Sequence, residues 1–277
     1  MLTEDQKADR MKGVGGSDVS IILGLSTSKT PFRLYLEKTG QIKSEFIETP
    51  QQYWGNTLEK IIADEFQKRN DVLVEFPDTI IHPFYDYMRA NVDGYIPSFN
   101  SVLEIKTSSA FMARQWGEDG SDVIPLAYLV QVAHYVSSMN TEQSNIALLL
   151  GGNDYREFVY KRDYDLEQTV IDACKSFWDC VQSHTEPTPI NIDDLKLKYP
   201  GEIAGETKSV KSMTGTLNAL SKNRQKQKEL KEIENDYKFK IISYMKSAEC
   251  LIDGDGKPLV TYKANKKGSR TLLLKGI

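Results

Sequence analysis

Cysteine is scarce in this 277-residue chain: Cys174, Cys180 and Cys250 make an odd number, and no two form a CxxC pair. Structural disulfides and a cysteine zinc site are not expected, and a four-thiolate iron–sulfur cluster is excluded. Histidine is equally sparse, and His82, His134 and His184 stand at no metal-binding spacing. No stretch approaches the ~18 uninterrupted apolar residues of a membrane span. The opening segment "MLTEDQKADRMKG" is polar and lacks a signal-peptide pattern. These absences lead to the expectation of an intracellular protein in a reducing compartment.

Net charge is −4, which by itself argues against a nucleic-acid partner. The distribution says something else. From Thr207 onward there are 16 Lys and Arg against 7 Asp and Glu, leaving 19 against 32 in the first 206 residues. A basic accessory region on an acidic body is the pattern. An acidic body is no obstacle to binding phosphates if a divalent cation supplies the positive charge.

Periodicity supplies the organisation. "SDVSIILG" and "TPFRLYLEKTG" read as helices that start on capping residues, and "QQYWGNTLEKIIADEFQKRN" as a longer helix with Leu58, Ile61, Ile62 and Phe66 apolar. "VLVEFPDTIIHP", "MRANVDGYIP" and "SVLEIKTSS" read as three strands. "LAYLVQVAHYVSSM" is a helix, "SNIALLLGG" and "REFVYKRD" are strands, and "LEQTVIDACKSFWDCVQSH" is a further helix. This order predicts an α/β core with a mixed sheet over residues 1–190. A proline-bearing linker is expected over 191–206. Residues 207–277 then read as a long basic helix with a β-hairpin.

The chemistry concentrates in "NVDGYIPSFNSVLEIKTSS", residues 91–109, which has the form Asp-x10-Glu-x-Lys. On a strand, Glu104 and Lys106 share one face and Ile105 points to the other. Asp93 ends the preceding strand, where a hairpin brings it beside Glu104. Two converging carboxylates with the Ile105 backbone carbonyl can hold Mg²⁺, an oxygen-seeking cation. Lys106 can orient or deprotonate water, or steady charge developing on phosphorus. The competing reading is an exposed Glu–Lys ion pair, worth about 0–1 kcal/mol. The apolar neighbours Val102, Leu103 and Ile105 argue for a buried strand, where a charge is costly unless paired.

Other side chains bear on the same question. Glu59 shares a helical face with Ile62, Ala63 and Phe66. Gln131, His134 and Tyr135 share a face of their helix, and His134 reads as a packing residue rather than a ligand. "RMKGVGGSDVS" offers a Gly-rich helix entry at Gly13, Gly15 and Gly16, with Arg10 seven residues before Ser17. Backbone amides, Ser17 and a bidentate Arg10 suit an anion, although a flexible helix entry has the same composition.

Four stretches, "RMKGVGGSD", "WGNTLE", "NVDGY…LEIKTSS" and "YLVQVAHY", occur in an order that resembles the YqaJ-like viral recombinase group of lambda-type exonucleases, within the PD-(D/E)xK nuclease superfamily. The resemblance covers residues 8 to 185. It implies the restriction-endonuclease-like fold and an Mg²⁺-dependent 5′→3′ exonuclease that degrades one strand of linear duplex DNA to leave 3′ overhangs. It assigns Asp93, Glu104, the Ile105 carbonyl and Glu59 to a site of two Mg²⁺ ions, with Mn²⁺ able to substitute. Lys106 and Gln131 would act in catalysis, and Tyr135 would lie beside them. Arg10 and Ser17, with Gly16, would hold the 5′-phosphate. Implied partners are duplex ends, a RecT- or Beta-type single-strand annealing protein, and two further copies in a trimeric ring. A phage or prophage protein acting in the bacterial cytoplasm would fit. Competing functions are an endonuclease, a Cas4-like iron–sulfur exonuclease, for which the cysteines are too few, and a non-catalytic DNA-binding scaffold. The basic helix can meet DNA, a sister subunit or a partner protein, or be a solvated face.

Overall fold

In the computed structural model residues 10–43 and 48–275 are described. The chain divides into two units, Met1–Gly201 and Glu202–Ile277. In the first unit, helix α1 (Gly16–Ile22) has Gly15 at its N-cap, so Ser17 lies inside the helix instead of capping it, while α2 (Pro31–Lys38) and α3 (Pro50–Asn70) begin after the capping residues Thr30 and Thr49. Thr30 Oγ1 accepts the Arg33 N–H, and Pro31 occupies the first turn, where its missing N–H costs nothing. Thr49 and Gln52 bond reciprocally in a capping box at the start of α3. That helix stops at Asp71, which adopts a left-handed conformation with φ of 52°.

A mixed four-stranded sheet forms the centre of this unit, in the order β4 (Gly94–Ile96), β5 (Ser101–Ser108), β6 (Gln143–Leu150), β7 (Asp154–Lys161). The outer pairs are antiparallel, while β5 and β6 run parallel from Ser101 opposite Gln143 to Ser108 opposite Leu150. A parallel pair requires a crossover, and α4 (Leu126–Met139) lies within it. Alternation along the strands separates two layers. Leu103, Ile105 and Ala147 face α3, packing with Ile62, Ala63 and Phe66. Ile146, Leu148 and Phe158 join Val130, Ala133 and Val136 of α4 and Val170, Cys174 and Phe177 of α5 (Tyr164–Gln182). A second sheet sets β1 (Val14–Gly15) parallel to β3 (Met88–Ala90), with β2 (Ile80–Ile81) antiparallel on the other side.

Further local expectations change. Most of the strand expected over 72–83 is extended chain without a ladder: Glu75 bridges Tyr95, and regular pairing is confined to Ile80–Ile81. Pro77 and Pro83 have no N–H to donate there. "MRANVDGYIP" is two strands in two different sheets, β3 and β4, broken at residues 91–93. Residues 191–206, read above as a linker, contain helix α6 (Ile192–Lys198), capped by Asn191. Its buried Asp194 accepts Thr30 Oγ1–H at 2.6 Å, which ties α6 to the start of α2.

In the second unit, α7 (Thr214–Met245) runs for 32 residues and leaves Leu217, Leu220, Leu230, Ile233 and Tyr237 exposed. The β element has three antiparallel strands, β8 (Cys250–Ile252), β9 (Pro258–Ala264) and β10 (Arg270–Leu274), where a hairpin was expected. Arg270 fastens it, stacking on Tyr262 at 4.0 Å and donating to the Lys246 and Ala248 carbonyls. Among the described residues, no helix is long and apolar enough to cross a membrane.

Candidate active site

The break between β3 and β4 is what presents Asp93. Gly94 opens β4 and pairs with Leu103 of β5, and beyond it the ladder would next serve Ile105. The Asp93 carboxylate takes over: its Oδ2 accepts the Ile105 N–H at 2.8 Å, in place of a strand carbonyl. In a strand, a residue's N–H and C=O point to the same edge. The Ile105 carbonyl therefore shares the Asp93 edge, while its side chain packs under α3.

Glu104 and Lys106 lie on the opposite face, as the period of two requires. Glu104 is 1% exposed. Its Oε1 pairs with Lys106 Nζ and accepts Gln131 Nε2–H at 2.8 Å from α4. Its Oε2 is buried without a hydrogen-bond partner. An ionised carboxylate oxygen left this way in a protein interior costs several kcal/mol, of order the 1–3 or more lost with a buried unsatisfied group. Such an atom has vacant lone pairs for a cation.

The electrostatics point the same way. Burial pushes the Glu104 carboxyl up to about 8, the nearby Asp93 charge adds to this, and Lys106 opposes it. Burial likewise raises Asp93, against the pull of Lys106 and of the Ile105 N–H. Glu59, half-buried on α3, is raised by burial and then by Asp93, with Lys106 lowering it. Burial disfavours the Lys106 ammonium, but Glu104 and Asp93 outweigh it and hold the group above its ordinary range. Three carboxylates thus feel one another around a single lysine, a surplus of negative charge that suits a divalent cation. Among the described residues, no group of three or more His, Cys, Asp or Glu side chains is placed to hold a metal ion as it stands.

Gln131 also donates to Tyr135 Oη at 3.1 Å, one helical turn on. Burial, then the charges of Glu104 and Asp93, hold the Tyr135 phenol well above its ordinary range, so it stays neutral. Tyr135 in turn meets Gly16: a Cβ there would lie 2.3 Å from the ring, so only glycine lets α1 approach α4 this closely. Gly16 is buried, and packing on Tyr135 is the role its surroundings show. Its neighbour Ser17 is exposed and accepts Arg10 Nη2–H at 2.6 Å. A chain of contacts therefore runs from the Arg10–Ser17 pair through Gly16, Tyr135 and Gln131 to Glu104.

His134 packs as expected, 0% exposed, with its Nε2–H donated to the Arg89 carbonyl. Burial depresses it to about 4, so it is neutral. His82 is engaged locally by Ser137 and the Phe84 N–H. Two residues at the site escaped the sequence reading. Tyr128 lies with its ring 5.1 Å from Lys106 Nζ, and its position three residues before Gln131 on α4 was the available signal. Lys38, at the end of α2, gave no signal beyond a basic residue in the last turn of a helix.

The profile of the YqaJ-like viral recombinase domain matches residues 6–142. Over 286 aligned residues the chain is 32% identical to the protein YqaJ of Bacillus subtilis (strain 168), covering 96% of this chain and 87% of that one. The chain belongs to the YqaJ-like viral recombinase family. The stretch matched by the YqaJ-like profile contains Arg10, Ser17, Glu59, Asp93, Glu104, Lys106, Gln131 and Tyr135. The structure is similar to an alkaline exonuclease of Laribacter hongkongensis, LHK-Exo (TM-score 0.56, 16% identity, covering 71% of this chain and 97% of that one). It is also similar to a putative exonuclease from Eubacterium rectale (TM-score 0.50, 12% identity, 77% and 98%). At these identities the likeness is one of fold. The YqaJ-like chain has the α/β restriction-endonuclease-like architecture, with a mixed central sheet between helices.

Proposed function

We propose that this YqaJ-like protein is a metal-dependent deoxyribonuclease that removes nucleotides from the 5′ end of one strand of linear duplex DNA. The 3′ overhang would feed recombination by single-strand annealing. The observation that carries the reading is Glu104: a buried carboxylate with one oxygen bound by Lys106 and Gln131 and the other unpartnered, within electrostatic reach of Asp93 and Glu59.

Asp93, Glu104, the Ile105 carbonyl and Glu59 would hold Mg²⁺, as two ions, with Mn²⁺ substituting. Bound metal supplies Lewis acidity and neutralises phosphate charge. Lys106 keeps its ammonium at the site and stabilises charge on the scissile phosphate. Its ring contact with Tyr128 and its pairing with Glu104 fix where that charge lies. Gln131 orients Glu104 from behind and is itself oriented by Tyr135. Arg10 and Ser17 supply a guanidinium and a hydroxyl 2.6 Å apart, suited to a terminal 5′-phosphate. LHK-Exo, which shares the fold, has been seen in complex with dAMP. By resemblance the working assembly is a trimeric ring acting with a RecT- or Beta-type annealing protein in the bacterial cytoplasm.

The test uses three duplex substrates in Mg²⁺: linear with 5′-phosphate, linear with 5′-hydroxyl, and covalently closed circular. Expected is mononucleotide release, fastest from the 5′-phosphate, with circles untouched. Cutting of closed circles would establish the endonuclease reading instead.

A further inference from the structure

Lys38 closes α2 and its side chain is only 3% exposed. A buried ammonium is costly unless every N–H is used. Here all three acceptors lie on one stretch of chain. Nζ is 2.7 Å from Asp18 Oδ2, and it donates to the Arg10 carbonyl at 2.5 Å and the Gly13 carbonyl at 2.7 Å. Asp18 Oδ2 also accepts the Gly15 N–H at 3.0 Å. One ammonium and one carboxylate thereby fix residues 10, 13, 15 and 18, the segment that carries Arg10 and Ser17.

We propose that Lys38 is the positioning residue of the Arg10–Ser17 clamp and, through it, sets selectivity for DNA ends that bear a 5′-phosphate. This rests on the reading of Arg10 and Ser17 as the 5′-phosphate site. Lys38 acts in two ways. It gathers the carbonyls of Arg10 and Gly13 into one curl, which sets the Arg10 guanidinium against Ser17. It also neutralises Asp18. Burial would raise that carboxyl, yet Lys38 and then Arg10 outweigh burial and keep it ionised. Without Lys38, the Asp18 anion competes with phosphate for Arg10. Replacing a buried ion pair with apolar groups is often neutral for stability, so geometry and charge placement are what this pair contributes.

The experiment compares initiation on duplexes with 5′-phosphate and 5′-hydroxyl ends, for the full-length wild type, Arg10→Ala, Lys38→Met and the double variant Lys38→Met/Asp18→Asn. The preference for 5′-phosphate should fall about tenfold or more in all three variants, the scale of a lost charge-assisted bond. The loss should appear mainly in KM for 5′-phosphate ends, and the ratio between the two substrates is the quantity compared. The double variant leaves no uncompensated charge, and it carries the comparison if Lys38→Met does not fold. If both lysine variants keep the wild-type preference while Arg10→Ala loses it, Lys38 has no positioning role and the clamp stands. A uniform fall on both substrates also overturns the proposal, since that is the signature of a structural role alone. If Arg10→Ala keeps the preference, the clamp reading fails and the inference fails with it.

Discussion

Asp93 Oδ2 accepts the Ile105 backbone N–H at 2.8 Å, one residue before β4 begins, so a side chain completes a strand ladder. One carboxylate oxygen is thereby fixed by the fold. Asp93→Asn preserves an acceptor for Ile105 but removes the charge. Its melting temperature should stay near wild type while cleavage falls by on the order of 10²-fold or more. Asp93→Ala also leaves the N–H unpaired and should destabilise by about 1–3 kcal/mol in denaturant unfolding. An active Asp93→Asn enzyme would remove Asp93 from the proposed metal site.

Among the described residues, Lys106 is a cation whose charge reaches Glu59, Asp93 and Glu104 together. Lys106→Ala should abolish cleavage and leave duplex binding, measured by fluorescence anisotropy, nearly intact. Normal cutting by this variant would show that the reaction occurs elsewhere.

The elevated Glu104 has a consequence for stability without metal. An unfolded glutamate titrates near 4.5, and in the fold it is pushed up to about 8 by burial and then by Asp93. Between these values the folded state binds more protons than the unfolded state, so stability falls as pH rises. The contribution is whole below about 4.5 and lost through about 8. The metal-free wild type should therefore lose melting temperature across this window relative to Glu104→Gln. Mg²⁺ should stabilise more as pH rises, because the proton no longer competes. A metal-free difference that is flat with pH would contradict the buried, proton-hungry carboxylate.

Gly16 joins the two halves of the proposed site. Its Cβ-less surface admits the Tyr135 ring, which holds Gln131 and hence Glu104. Gly16→Ala should cost about 1–3 kcal/mol by overpacking and slow cleavage of both 5′-phosphate and 5′-hydroxyl ends. Wild-type kinetics together with a wild-type melting curve would show that α1 can move away from α4 freely.

Much of this site is readable from spacing alone. Glu104 and Lys106 fall on one face by the strand period, and Gln131 meets Tyr135 by the helical one. The hairpin pattern already sets Asp93 beside Glu104, but its bond to the Ile105 N–H needed the structure: "MRANVDGYIP" has a continuous strand pattern, and nothing local says that it leaves one sheet and enters another at residues 91–93. Helix α6 was hidden because a seven-residue helix depends on tertiary contact, here Asp194 with Thr30. Lys38 looked like an ordinary basic residue in a last helical turn, a place favoured by the helix dipole. Its three acceptors lie 20 to 28 positions earlier, beyond any local pattern.

The central claim is a metal-dependent nuclease that starts at 5′ ends, and strand polarity tests it most directly. A linear duplex labelled at either the 5′-terminal or the 3′-terminal nucleotide of one strand is incubated with the protein in Mg²⁺ or in EDTA. Expected is early release of the 5′ label as a mononucleotide, late or no release of the 3′ label, and no release in EDTA. Release of the 3′ label first, or equal release in EDTA, would contradict it.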